Sequence, residues 1–497
     1  MSTNIPKDEF LGHPRSLWML FMSEFWERFA FYGMRWALTL YIVAQFFDGD
    51  STGEAYANRM YGSYLALVYA TAIFGGYIAD RVIGYQRSIL LGAVVMAAGL
   101  FMITIEVQSI FILGLATIIV GNGLFKPNIS TMVGQLYGPN DDRRDRGFTI
   151  FYMGINAGAL VAPILTGWLA SVIFGTEMHQ NYKAVFYATG VGMVISLLWF
   201  YFGRKQLGDI GKPPADVDQK KGLIYTVLGV IASIPVVYLL MGKVGAEGLA
   251  WILGILFIGV ALALLIEAIR EGSVRRDMSI AMFILFAFNI LFWMFFEQAG
   301  SSFNFLAQNI VDRDLFEPGG FIFPTGWFQS VNPIAIVIFA PIVTIIWSYT
   351  SKKGIEPSLP RKFSFGLLGN ALGFGVLMYA LANLVDPQTN TIPFWPLVAC
   401  YVLQTFGELC LSPIGLSMVT KLAPVKMVGA AMGAWFLSIA IGNNLSGLLA
   451  GEISGDTGMT VDSALAGFSF SFYLLIGAGI LLFLIAPLIN KLLHGVK

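Results

Sequence analysis

Fourteen apolar stretches, most of them about twenty residues or longer, follow one another along the 497-residue chain with short polar breaks between them. They run near 17–47, 57–80, 86–105, 109–137, 148–174, 183–203, 222–242, 246–269, 279–304, 328–351, 363–384, 393–420, 428–450 and 465–491. A hydrocarbon core of about 30 Å is crossed by roughly 20 helical residues. The pattern therefore predicts an all-α integral membrane protein with 14 transmembrane helices. Composition agrees: 57% of residues are hydrophobic and 12% charged, against roughly a quarter charged in soluble domains. The 30 Lys and Arg balance the 30 Asp and Glu, which gives no basis for nucleic-acid binding. Cys400 and Cys410 offer neither a disulfide framework nor metal-ligand spacing. The first stretch is too long to stand upright, so a tilt or a kink is expected. Residues 1–16 are polar with no cleavage signal, so the first helix should be an uncleaved anchor.

Basic residues set the orientation, because cytoplasmic loops collect Lys and Arg. With the N-terminus in the cytoplasm, 23 basic residues, from Lys7 through Lys497, fall on the cytoplasmic side. Only Arg59, Lys183, Lys243 and Arg313 fall outside, and Arg28, Arg35 and Lys126 lie within spans. Both termini are thus expected inside, with an even number of spans. The polar segment 204–221, broken by Pro213 and Pro214, reads as a linker. Six spans precede it. The two that follow carry no charge until Glu267 and read as a lipid-facing hairpin inserted between two six-helix bundles. The expected division is 1–203 for the N-terminal bundle, 204–277 for linker and hairpin, and 278–497 for the C-terminal bundle.

Seven ionisable side chains fall well inside the spans: Glu24, Glu27, Arg28, Arg35, Lys126, Glu297 and Glu408. Each costs about 2.5–3.5 kcal/mol at a lipid-facing helix centre, so they must face a bundle interior or a watery cavity. Either buried ion pairs fix the packing, or a polar route for substrate and ions passes among them. Glu24, Glu27, Arg28, Phe31 and Arg35 recur at helical spacing and share one face with Tyr32 beside them. Such a stripe suits a cavity wall better than a single structural pair. Four acids against three bases leave one acid over, a natural place for a proton. Lys126 sits in GNGLFKPNIS, where Pro127 removes a backbone donor; Asn156 sits in FYMGINAGAL among small residues that permit close helix contact.

The segment from Glu24 to Gly33, EFWERFAFYG, resembles the ExxERFxxYG motif of the proton-dependent oligopeptide transporter family. GGYIADRVIG (75–84) and FYMGINAGAL (151–160) resemble that family's two signature segments. FWMFFEQAGSS (292–302) and FGELCLSPIGLS (406–417) resemble its seventh and tenth core helices. Phe31 stands where many members have tyrosine, and Ala159 where serine is common. The resemblance implies a major facilitator fold, with the two-helix insertion of bacterial members, in a bacterial inner membrane. It further implies that Arg35 and Lys126 hold a peptide carboxylate, and that Glu408 with Asn156 and Asn332 holds the amine. Tyr32, Tyr69 and Trp435 would bound side-chain pockets. Glu24, Glu27 and Arg28 would form the proton-coupling cluster, Glu297 would be a second protonation site, and Asp80–Arg81 would be a gating loop.

The expected function is a proton-coupled symporter that imports di- and tripeptides by alternating access, with the proton as coupling ion, no other cofactor, and the monomer as working unit. The nearest alternative is a carrier of nitrate, an amino acid or an organic acid on the same fold. A membrane enzyme is disfavoured, since no HExxH, GxSxG or His–Cys cluster is present. Charges scattered over several helices suit a gated cavity better than a channel.

Overall fold

The computed structural model describes residues 8–138, 141–176, 179–214, 217–315 and 320–496; Lys7 and Lys497 of the basic tally lie outside them. A short hairpin, β1 (Glu9–Phe10) and β2 (His13–Pro14), precedes α1 (Arg15–Phe46). Then come α2 (Glu54–Ile78), α3 (Tyr85–Met102), α4 (Gln108–Gln135), α5 (Arg143–Trp168), α6 (Tyr182–Gly203), α7 (Gln219–Leu239) and α8 (Gly245–Glu271). They are followed by α9 (Ser273–Phe296), α10 (Ser302–Asn309), α11 (Val331–Lys352), α12 (Leu359–Asn383), α13 (Trp395–Leu422), α14 (Val428–Ser454) and α15 (Val461–Leu492).

Among the described residues, 12 helical runs are long and apolar enough to cross a membrane. One of them, Ser51–Ile83, extends α2; another, Gln219–Glu271, contains both α7 and α8. Only 17% of the most apolar window of that double run is buried, the smallest share of the twelve. Most of that window is therefore apolar surface left at least partly exposed. The expected long first helix exists as 32 unbroken residues, although it is not among the twelve.

The stretch expected as one span near 279–304 is instead interrupted. α9 ends at Phe296, a tight turn covers Glu297–Gly300, and α10 resumes at Ser302. A break at this depth exposes carbonyls, and side chains satisfy them. Ala299 O accepts from Gln329 Nε2 and from Tyr401 OH, the latter at 3.2 Å. Gln298 Nε2 donates to Met294 O at 3.2 Å and ties the turn to Ser446 O of α14 at 3.0 Å.

Contacts divide the chain into two units. The first holds residues up to Tyr41 and Leu67–Gly245, and therefore includes α7. Its α3 and α4 cross closely: a Cβ on Gly92 would come within 2.7 Å of Gly121 O. The second unit holds Ile42–Ala66 and Ala246–Lys497, so the first half of α2 packs there. Within it, Gly62 lies against Gly447 so tightly that a Cβ would sit 2.6 Å from Gly447 Cα. Polar contacts lock the same seam. Asn58 Nδ2 donates to Ala450 O and Ser454 Oγ, each at 3.1 Å. Glu54 accepts from Met459 N at 2.8 Å and Asn309 Nδ2 at 2.9 Å. Arg59 pairs with Glu452 at 2.7 Å.

Candidate functional site

The charged face of α1 is buried inside the first unit. Glu24, Glu27 and Arg28 are 1%, 0% and 2% exposed, so the cluster is cut off from both lipid and bulk water. The two acids do not share Arg28 equally. Its Nη2 donates to Glu27 Oε1 at 2.6 Å and its Nε to Glu27 Oε2, which makes a two-pronged pair. Asn122 Nδ2 of α4 adds a bond to Glu27 Oε1 at 3.3 Å. Glu24 Oε1 lies 3.4 Å from Arg28 Nε, but neither Glu24 oxygen accepts a hydrogen bond. The cluster is therefore a satisfied Glu27–Arg28 pair beside a poorly satisfied carboxyl. Phe31, one turn on, packs its ring 4.9 Å from the guanidinium.

Further along the same face, Arg35 lies 6.0 Å from the Tyr32 ring. Lys126 of α4 stands 5.0 Å from the Tyr69 ring of α2. Arg35, Lys126, Tyr32 and Tyr69 are all partly exposed, unlike the triad. This unit thus presents two cations, each laid against a tyrosine face. Asn156 of α5 is 7% exposed, and its Nδ2 donates to Tyr152 O of its own helix at 2.9 Å.

In the second unit, Asn332 at the start of α11 reaches across to α13. Its Nδ2 donates to Glu408 Oε2 at 3.0 Å and to Thr405 Oγ1 at 2.9 Å. The carboxylate at 408 is thus oriented by an amide 76 residues away, while Glu408 stays partly exposed. Glu297 is 4% exposed and occupies the first position of the turn that interrupts α9 and α10. Trp435 is 3% exposed, with its ring 5.7 Å from Phe286 and 6.4 Å from Phe363. It contributes to this unit by packing and does not present a face to solvent.

Asp80 and Arg81, expected in a loop, lie in a wide helical turn, Ala79–Ile83, that prolongs α2. Gly84, with φ of +77°, ends the turn in a conformation that suits glycine. The Asp80 carboxylate accepts from Tyr85 OH. Three partners escaped the sequence reading. Asn122 holds Glu27, Thr405 holds Asn332, and Asn128 Nδ2 ties Gly75 O (3.1 Å) to Ser88 Oγ (2.9 Å). The available signal was an uncharged polar side chain in an apolar span, and both asparagines lie in GNGLFKPNIS.

The profile of the POT family matches residues 86–460. A peptide transporter of Yersinia enterocolitica is 36% identical over an alignment that takes in 100% of this chain and 98% of that protein. The chain belongs to the POT family. The full-length match extends the kinship over the α1 motif, which precedes residue 86. Dipeptide and tripeptide permease B of Salmonella typhimurium is 34% identical, covering 90% of this POT chain and 89% of that one. A crystal structure of a peptide transporter POT with sulfate has a TM-score of 0.84 at 32% identity, over 99% of this chain and 98% of that one. The fold is accordingly of the major facilitator type, that of a POT transporter with many membrane-spanning helices.

Proposed function

We propose that this protein is a proton-coupled symporter of di- and tripeptides in the inner membrane of a bacterium. One observation carries the reading: a POT chain whose first unit offers partly exposed cations beside a buried acid–base triad, and whose second unit offers a carboxylate pre-oriented by an amide. A peptide is a zwitterion at neutral pH. Arg35 and Lys126 receive its carboxylate, and Glu408, aimed by Asn332, receives its amine. Tyr32 and Tyr69 give apolar faces with one polar atom each, which tolerate varied side chains. Asn156 and Trp435 support this site by bonding and packing within their own units.

The proton resides on Glu24, because Glu27 already neutralises Arg28 and both together need no third charge. Glu297, buried at the break after α9, is the second protonation site. Each cycle of alternating access then takes peptide and proton inward together. A proton falling through about 100 mV is worth roughly 2.3 kcal/mol, and one pH unit adds about 1.4 kcal/mol. That is enough for several-hundred-fold accumulation. Both termini face the cytoplasm, the spans number fourteen when α1 and both α7 and α8 are counted, and Asp80–Arg81 acts in gating. The monomer works alone, without cofactor and without enzymatic activity.

Competition in proteoliposomes tests the substrate class. Uptake of labelled dialanine should be displaced by trialanine, and much less by alanine, nitrate or an organic acid. Displacement by nitrate or free alanine as strong as by trialanine would replace this reading with a carrier of that solute.

A further inference from the structure

At one end of the second unit lies a cavity of about 710 Å³. Its wall comes from the loop between α11 and α12, the last turns of α13, and the residues around the end of α15. α11, α13 and α15 end here and α12 begins here, so the cavity lies at the ends of membrane-length helices, where lipid headgroups are expected.

Three features of the wall point to an anion. Lys362 has only 13% of its side chain exposed. Its Nζ stands 2.5 Å from Glu356 Oε1, and the ammonium is 5.1 Å from the Trp347 ring centre. It is held in place, not merely solvated. Lys421 enters from α13, so the described residues of the wall bring two cations, Lys362 and Lys421, and one carboxylate, Glu356, to the cavity. Ser358 is the N-cap of α12, yet its side chain caps no backbone amide, and its Oγ is buried with no hydrogen-bond partner. Ser358 Oγ and the amides of Leu359 and Arg361 at the start of this 25-residue helix are therefore uncapped, Pro360 between them carrying no N–H. Met418 and Leu422 supply apolar wall beside them.

We propose that this cavity binds a phosphate group, carried by an anionic phospholipid headgroup or by a free phosphate compound. Lys362 and Lys421 supply the charge, and Ser358 with the start of α12 supplies the directed donors. The volume falls within the range of small-molecule sites and exceeds what bare phosphate fills. Its placing in the cytoplasmic leaflet rests on the topology proposed above; the binding itself does not.

The test uses purified full-length protein in detergent, titrated with phosphatidylglycerol or phosphatidylcholine and read by native mass spectrometry. Phosphatidylglycerol should bind preferentially, and K362Q/K421Q should weaken it by about tenfold or more, the effect of losing a charge-assisted hydrogen bond. K352Q/K353Q, which removes two exposed cations outside the wall, should change it little. Competing glycerol phosphate or inorganic phosphate separates the sources. Displacement at millimolar concentration assigns the site to soluble phosphates, and resistance assigns it to lipid. Should the double variant lose its monodisperse form, K421Q alone should weaken binding several-fold and K362R should retain it. Equal binding of the two lipids, or affinity unchanged in both K362Q/K421Q and K421Q, overturns the proposal.

Discussion

Glu24 and Glu27 are both buried beside Arg28, yet their substitution by glutamine should have opposite costs. Glu27 takes both prongs of Arg28, one at 2.6 Å, and a third bond from Asn122. Glu27→Gln leaves a guanidinium that is 2% exposed without its charge partner, since the nearest remaining carboxylate contact is 3.4 Å with no hydrogen bond. Removing one partner of a buried pair costs about 3–5 kcal/mol. Glu24→Gln removes a carboxyl that accepts no hydrogen bond and leaves the Glu27–Arg28 pair intact, so stability should hold or rise. Both variants should lose accumulation driven by a pH gradient, while Glu24→Gln keeps counterflow exchange of peptide. Fluorescence-detected thermal unfolding of the purified variants, beside counterflow and gradient-driven uptake, reads all three quantities. A stable Glu27→Gln with an unfolded Glu24→Gln would refute the division of roles within the cluster. Full gradient-driven uptake by Glu24→Gln would refute its role as proton carrier.

Asn332→Leu removes the amide that orients Glu408 and should raise the KM for dipeptides roughly tenfold, the worth of a hydrogen bond to a charged group; N-acetylated dipeptides, which lack the cationic amine, should be much less affected in uptake competition. Gly62→Ala forces a methyl to within 2.6 Å of Gly447 Cα. Overpacking of this kind costs about 1–3 kcal/mol, where alanine in an open helix would gain up to about 1 kcal/mol, so a lowered unfolding temperature checks the crossing. The hairpin before α1 should loosen in mild acid. Burial first, then Arg143 and Arg146, hold the His13 imidazole below its usual 6.5. The docked hairpin therefore resists the proton that the released hairpin accepts; its stability is complete above that value and falls as pH drops below it. Hydrogen bonds from Arg143 push Asp141 down to about 2, so its contribution is lost only between about 4 and 2. Protection factors for residues 8–14 should thus fall between pH 7.5 and 5.5, and His13→Gln should abolish that response.

Much of the architecture was legible because bilayer thickness imposes its own length on the sequence. Buried charges announce themselves for the same reason, since lipid tolerates none unpaired. The break after Phe296 was not legible: FFEQAGSS contains no proline, and its stabilisers, Gln329 and Tyr401, lie far along the chain. Helical spacing placed both Glu24 and Glu27 within reach of Arg28 but could not choose between them. That choice depends on Asn122 of α4 and on rotamers fixed by packing. The pairing of Asn332 with Thr405 and Glu408 joins two helices whose neighbourhood only the fold supplies. Trp435 and Asn156 show the reverse case. Their types suit a binding site, while burial gives the one to an aromatic core and a nearby carbonyl engages the amide of the other.

The central claim is that peptide and proton cross together. Purified protein reconstituted into liposomes containing a pH-sensitive dye, with an inward-negative potential, measures this directly. Addition of dialanine or trialanine should acidify the lumen, addition of alanine or nitrate should not, and Glu24→Gln should abolish the signal while still exchanging peptide. Entry of labelled dialanine with no accompanying change in lumenal pH would contradict the account.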